Sequence, residues 1–292
     1  MLKLRAILLA FIIFISSKVL AVDAEIYSAK SAIEINNSLM EMLSKRNPQK
    51  TLLLLPLEAV IEFVDPALRT KDESLQKVAI RMFKKAKHSR KSYLGELILT
   101  EYENKLSDPD WANLVQNVQK MQAPFIITTS NVSGSFNNIS HLEVWTWSYL
   151  KKLGIDLSNN RFNDDQFMLN KHNTKFKGTY PTFYRGLLSC NSGGGKNTRQ
   201  TVLSGLLVRY VKWLPDVVYI IDKDEKYIES LIRRFKILNN DTQVVGFVYD
   251  PEYVEDENLE VKSFAKTWKK LVNKLNKISR STNNNKENPY EQ

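Results

Sequence analysis

With 292 residues, of which 43% are apolar, and a formal net charge of +10, the chain is long enough to bury a large core and basic enough to raise the question of a nucleic-acid partner. Lys3, Arg5 and Lys18 lie at the extreme N-terminus, leaving +7 for the rest; from residue 261 to 292 eight Lys and Arg stand against only Glu287 and Glu291, or +6, so nearly all the remaining excess sits in the tail, and a phosphate-tracking surface on the body, hence nucleic-acid binding, is excluded. The single cysteine, Cys190, and three scattered histidines, His88, His141 and His172, exclude an internal disulfide, a zinc cluster and a Ser-His-Asp triad.

Residues 1–21 read as a cleavable secretory signal peptide. Lys3 and Arg5 precede an uncharged run from Ala6 to Ser17, and Val19-Leu20-Ala21 supplies the small residues of a cleavage site, with a second cut available near Ala24. The run falls short of the roughly 20 apolar residues that a spanning helix needs. The expected product is exported through the secretory route and is periplasmic or extracellular.

Residues 22–50 read as an N-terminal helix, with Ile26, Ala29, Ile33, Leu39 and Leu43 recurring at helical spacing and closure at Asn47-Pro48. Thr51-Leu-Leu-Leu-Leu, bounded by Pro48 and Pro56, reads as a strand buried on both faces. Similar runs recur at 124–129, 217–221 and 243–249, separated by helical patterns at 138–153, 198–212 and 225–238. This alternation predicts an α/β fold with a doubly wound, mostly parallel sheet over residues 51–260, its ligand crevice beyond the carboxyl ends of the strands.

Two segments exceed ordinary connections. Residues 66–122 read as an inserted helical cap plus a helix returning to the core. Residues 158–190, where Phe162, Phe167, Phe176, Tyr180, Phe183 and Tyr184 lie among turn formers, read as a second, smaller insertion, a hairpin or irregular flap. Residues 261–280 form a basic amphipathic helix, with Phe264, Trp268, Leu271, Val272, Leu275 and Ile278 on one stripe and six lysines around it. Such a helix suits an anionic membrane surface, and equally suits a last helix packed on the sheet. Residues 281–292 are poor in hydrophobes and read as a disordered tail.

Asn191-Ser-Gly-Gly-Gly-Lys196 fails as a P-loop, because Cys190 stands at the first glycine position and Asn197 replaces Ser or Thr. What remains is a glycine turn with Lys196 at the mouth of a helix: either an anion seat or a plain turn with a solvated lysine. In chain order the strand ends carry Pro56 to Val60, then Thr129-Ser130, then Lys196, then Asp222-Lys-Asp224.

This order, with the phrases Ile155-Asp156-Leu157, Tyr184-Arg-Gly-Leu187 and Val218-Tyr-Ile-Ile-Asp222, resembles the haloacid dehalogenase (HAD) superfamily over roughly residues 24 to 260. More narrowly, it is similar to a group of exported bacterial HAD-like proteins with a degenerate first motif. The resemblance implies a HAD-like core whose first strand ends in an aspartate nucleophile, with a second aspartate two residues on as general acid and base. It also implies a hydroxyl and a lysine that hold the phosphoryl group, and a later aspartate that helps hold Mg²⁺.

Thr129, Ser130 and Lys196 match the phosphate or anion slots, and Asp222 with Asp224 the metal slot. The first motif departs, since Pro56 stands at the nucleophile position and Glu58 at that of the acid and base. Proline supplies neither nucleophile nor metal ligand. Glu58 retains at most the role of a base that activates water, and Lys223 opposes a cation beside Asp222. The expected protein is therefore a non-catalytic pseudophosphatase with no cofactor or a weakly held Mg²⁺, binding a phosphate-bearing small ligand. Two alternatives stay open: a metal-dependent phosphohydrolase using Glu58, Asp222 and Asp224, and an envelope or membrane-surface interaction protein using the basic helix.

Overall fold

The computed structural model describes residues 24–70, 72–87, 91, 93–192, 197–251 and 259–278; the expected signal peptide, Lys196 and the tail from 281 lie outside them. The chain enters as strand β1 (Ala24–Ala29) and turns at Lys30 and Ser31 into helix α1 (Ala32–Ser44). The helix expected over 22–50 is corrected here. Its opening residues pair along the sheet edge, where Ile26 and Tyr27 stay exposed, so their helical spacing was incidental. The helix begins where Ser31 accepts a hydrogen bond from the Glu34 N–H, a serine N-cap.

Next come β2 (Thr51–Pro56), the single turn α2 (Leu57–Val60), β3 (Ile61–Phe63), α3 (Pro66–Arg69), α4 (Glu73–Lys84) and α5 (Leu94–Glu101). They are followed by β4 (Asn104–Leu106), α6 (Asp110–Lys120), β5 (Phe125–Thr129), α7 (Leu142–Lys152), β6 (Gln166–Met168), β7 (Thr182–Tyr184) and β8 (Leu187–Ser189). The chain continues through α8 (Arg199–Gly205), which runs into a π-helical turn at Leu206–Val211, then β9 (Val217–Asp222), α9 (Glu225–Leu238), β10 (Gln243–Tyr249) and α10 (Val261–Lys277).

Eight strands form one sheet in the order β1-β10-β9-β2-β5-β8-β7-β6, parallel from β1 to β8, with β7 and β6 antiparallel. Leu53 and Leu55 of β2 face one layer with Ile35, Leu39, Trp111, Leu114 and Leu150 of α1, α6 and α7. Leu52 and Leu54 face the other, with Val202, Leu203, Ile228, Leu231 and Phe235 of α8 and α9. A strand whose successive side chains are all buried must be apolar throughout, which is why β2 reads as a continuous run. The fold is a doubly wound α/β sheet.

The second insertion contains the expected hairpin, β7 and β8 pairing antiparallel across Arg185-Gly186, but the hairpin is not a separate flap: β8 pairs in parallel with β5, and β7 and β6 continue the sheet outward. Phe162 and Phe183 are buried edge to face at 5.7 Å on the α8 side with Phe167 packed against them, so these three of the six aromatics belong to the core.

The first insertion leaves and re-enters the core through the antiparallel pair β3–β4. Its cap is α3 to α5, whereas α6, the returning helix, packs on the sheet with α1. Helix α10 also departs from expectation, because its stripe packs on the cap and not on the sheet. Phe264 is buried with Ala67, Leu75 and Ala79, while Leu271, Val272 and Leu275 meet Ala86 and Leu97. The Trp268 indole N–H donates to the Ala67 carbonyl at 3.2 Å, and the Lys87 N–H donates to Asn276 Oδ1 at 2.8 Å. Both sheet faces already carry helices, whereas the apolar sides of α4 and α5 have α10 as their cover. Among the described residues, no helix is long and apolar enough to cross a membrane.

Candidate functional site

Strand β2 pairs with β9 on one side and β5 on the other. After β2 the chain builds outward through β5 and β8, then returns to β9 and β10 on the opposite flank. The loops after β2, β5 and β9 therefore diverge at a topological switch point, where an open α/β sheet leaves a crevice. Here the structure brings together Pro56, Glu58, Ser130 and Asp222 with Ala59, Arg199 and Lys223 around a cavity of about 110 Å³. A larger cavity, about 410 Å³, lies at the amino ends of β2 and β5, lined largely by amides such as Gln49, Gln119, Gln122 and Asn159. The charged groups gather in the smaller one, which lies at the strand ends where such folds bind ligands.

The expected anion donors serve the chain's own carboxylate. Thr129 Oγ1 donates to Glu58 Oε1 at 2.9 Å, and the Ser130 N–H donates to the same oxygen at 2.8 Å. Thr129 is buried and its hydroxyl accepts from the Asn131 N–H at 3.2 Å, which orients the hydroxyl proton toward Glu58.

Across the cleft, Asp222 Oδ2 accepts from Arg199 Nη1 at 2.9 Å, and Oδ1 accepts from the Asp224 N–H at 3.0 Å. The guanidinium lies over the Tyr227 ring, its Cζ 3.7 Å from the ring centre. Burial pushes the Asp222 carboxyl above its usual range and Glu58 adds to the rise, while Arg199 and the Asp224 N–H pull it down without cancelling the effect. For Arg199 burial opposes the charge, yet Tyr227, Asp222 and Glu58 raise its pKa above the ordinary value. The two shifts do not mirror each other. Asp222 is the more deeply buried partner, so it loses more hydration than the ion pair returns. Cys190, at the end of β8, is fully buried, and the loss of water holds its thiol neutral well above the ordinary range.

Asp224 does not join the cleft as a ligand. Its Oδ1 accepts from the Lys226 and Tyr227 N–H groups as the N-cap of α9. Lys196 lies outside the described residues. The Lys223 ammonium is 5.6 Å from the Tyr249 ring centre. Arg199 was not among the residues expected at the site, although one cue was present in the sequence. It is a cation in the first turn after a capping threonine, Thr198, where the helix dipole disfavours positive charge and a buried acid is needed to offset it.

A doubly wound α/β protein, with a charged cleft at its switch point and a helical cap inserted after the first central strand, is the class that these features define. The chain belongs to the DUF2608 family, described as a protein of unknown function, which matches residues 67–280. It is 27% identical over 282 residues to an uncharacterized protein of Rickettsia felis, covering 92% of this chain and 94% of that one. An uncharacterized protein of Rickettsia conorii is 26% identical over 293 residues, 96% of each chain. A third, from Rickettsia typhi, is 28% identical over 216 residues, 70% of each. No solved structure matches the chain significantly. The family match begins at Ala67, after Pro56 and Glu58.

Proposed function

We propose that this chain is an exported, HAD-like protein whose catalytic motif has decayed, leaving a non-catalytic pseudophosphatase that binds a small phosphate-bearing ligand. The observation that carries this is the pairing of Pro56, which ends β2 without a nucleophile, with Glu58, whose carboxylate is held by Thr129 and Ser130. A carboxylate seated on a hydroxyl and a backbone N–H marks a place that stabilises an oxyanion. Glu58 is exposed, so a ligand oxyanion can compete with it for the same two donors beside Arg199 and Lys223. Binding needs these fixed donors alone, whereas covalent phosphoryl transfer needs an attacking atom that Pro56 lacks.

The test is turnover of a panel of phosphomonoesters with Mg²⁺ or Mn²⁺, comparing the wild type with Glu58→Gln and Asp222→Asn. Background rates in all three proteins are expected, with phosphate binding weakened by Lys196→Ala. Robust hydrolysis abolished by both substitutions would promote Glu58 to a catalytic base and overturn the proposal. Export is tested separately. Lys3, Arg5 and the following apolar run lead us to expect that the protein recovered from the periplasm or medium begins just after Ala21 or Ala24. An intact Met1 in a membrane fraction would show that the segment is retained as an anchor.

A further inference from the structure

The donor set of the cleft does not fit the Mg²⁺ that the resemblance implies. Mg²⁺ takes a near-octahedral shell of oxygen ligands and is usually tethered by one or two carboxylates. Pro56 offers none at the end of β2, Asp224 caps α9 through Oδ1 and does not line the cavity, and Glu58 Oε1 is held by two donors. Asp222 remains, with one oxygen on the Asp224 N–H and the other on Arg199. Among the described residues, no three His, Cys, Asp or Glu side chains gather as a metal site.

We propose that the Arg199 guanidinium is the resident cation of this cleft and takes, at Asp222, the place of a divalent metal ion. The assignment rests on the non-catalytic function proposed above and deepens it, since it says how the site keeps its charge balance without a metal. Two carboxylates, Glu58 and Asp222, line the cavity together with two cations, Arg199 and Lys223, so the cleft is electrically closed by its own side chains.

Arg199 is also built in. Its guanidinium is flanked by the Tyr227 ring on one side and bonded to a buried carboxylate on the other, and it remains charged at any pH at which the protein folds. A bound metal would have to sit beside that fixed charge with no unshared carboxylate to repay its dehydration. The cleft's affinity for an oxyanion therefore does not depend on metal supply, and chelators leave it unchanged.

The experiment is titration with Mn²⁺, read by the paramagnetic signal of the free ion, on the full chain of the wild type, Arg199→Ala, Asp222→Asn and the double variant Arg199→Ala/Asp222→Asn. The wild type is expected to show no saturable site that Asp222→Asn removes. Removing the guanidinium frees Asp222 beside Glu58, so Arg199→Ala should gain a Mn²⁺ site roughly tenfold or more tighter than any in the wild type, and the double variant should lose it. Arg199→Gln, which keeps most of the bulk, replaces Arg199→Ala if the latter does not fold. Saturable Mn²⁺ binding by the wild type that disappears in Asp222→Asn overturns the assignment. So does a folded Arg199 variant that gains no site. Such binding without phosphomonoester turnover would refute the role of Arg199 alone, whereas turnover would refute the non-catalytic function beneath it.

Discussion

Phe264→Ala is expected to lower the unfolding free energy by about 3 to 5 kcal/mol, the range for deleting a fully buried large aromatic. Phe264 is 1% exposed, and its ring fills the space between α10 and the Ala67, Leu75 and Ala79 surface of the cap, 6.3 Å from the Trp268 ring centre. Alanine would leave a cavity between helices whose apolar contact runs along this stripe. Trp268 is half-buried, so Trp268→Ala should cost less than Phe264→Ala. Denaturant melts of both variants, followed by fluorescence and by circular dichroism, test the order. An unchanged midpoint in both, together with lost binding to anionic vesicles, would mean that the stripe serves a membrane surface and that its packing on the cap contributes little.

Arg199→Met should cost about 3 kcal/mol at neutral pH, the lower end for breaking a buried ion pair, because the guanidinium retains some contact with water. The deficit comes from Asp222, left buried without its cation. The pH dependence has a definite sign. The Asp222 carboxyl is raised in the folded protein chiefly by burial, so its contribution is fully present below the ordinary carboxylate value of about 3.9 and is lost as pH rises through the raised one. The stability of the wild type minus that of Asp222→Asn should therefore fall with rising pH across that window. In Arg199→Met the raise is larger, because the partner that opposed it is gone, so the deficit against wild type should shrink on acidification. Melts at pH 4 and pH 7 check both. A deficit that grows on acidification would mean that Asp222 draws its stability from its charge.

How much of this was legible in the sequence depended on burial. β2, β5, β9 and β10 announced themselves because both faces are covered and their middles are continuous apolar runs, with polar residues confined to the strand ends. β1 did not, since an edge strand with exposed Ile26 and Tyr27 carries no such run, and the spacing of its apolar residues imitated a helix. β8 is three residues long, too short for any pattern to develop. For α10 the stripe was visible but its destination was not. That is decided by which surface is left uncovered once the sheet has its two layers, a fact of assembly and not of local periodicity.

At the cleft, Glu58, Thr129, Ser130 and Asp222 could be placed together because strand ends in a parallel sheet converge. The hydrogen bond that commits Glu58 to Thr129 depends on the one-turn geometry of α2 and could not be read. Asp224 illustrates the opposite error, because an aspartate two residues after a strand end is also the ordinary opening of the next helix.

The cap is assembled from two pieces of chain, residues 66–101 and 261–277, with the whole run from β5 to β10 between them. Its closing contacts join residues about 200 apart, as Trp268 to Ala67 does with a separation of 201. A ribosome adds about 5 to 20 residues per second, so roughly 10 to 35 s separate the emergence of α5 from that of α10. Through that interval Leu75, Ala79 and Leu97 have no cover from α10, while much of the sheet that will carry them already exists in the chain. The cap is thus the last part of the molecule able to close, and a nascent chain stopped between residues 101 and 261 carries an open apolar surface whose covering helix lies in sequence not yet made.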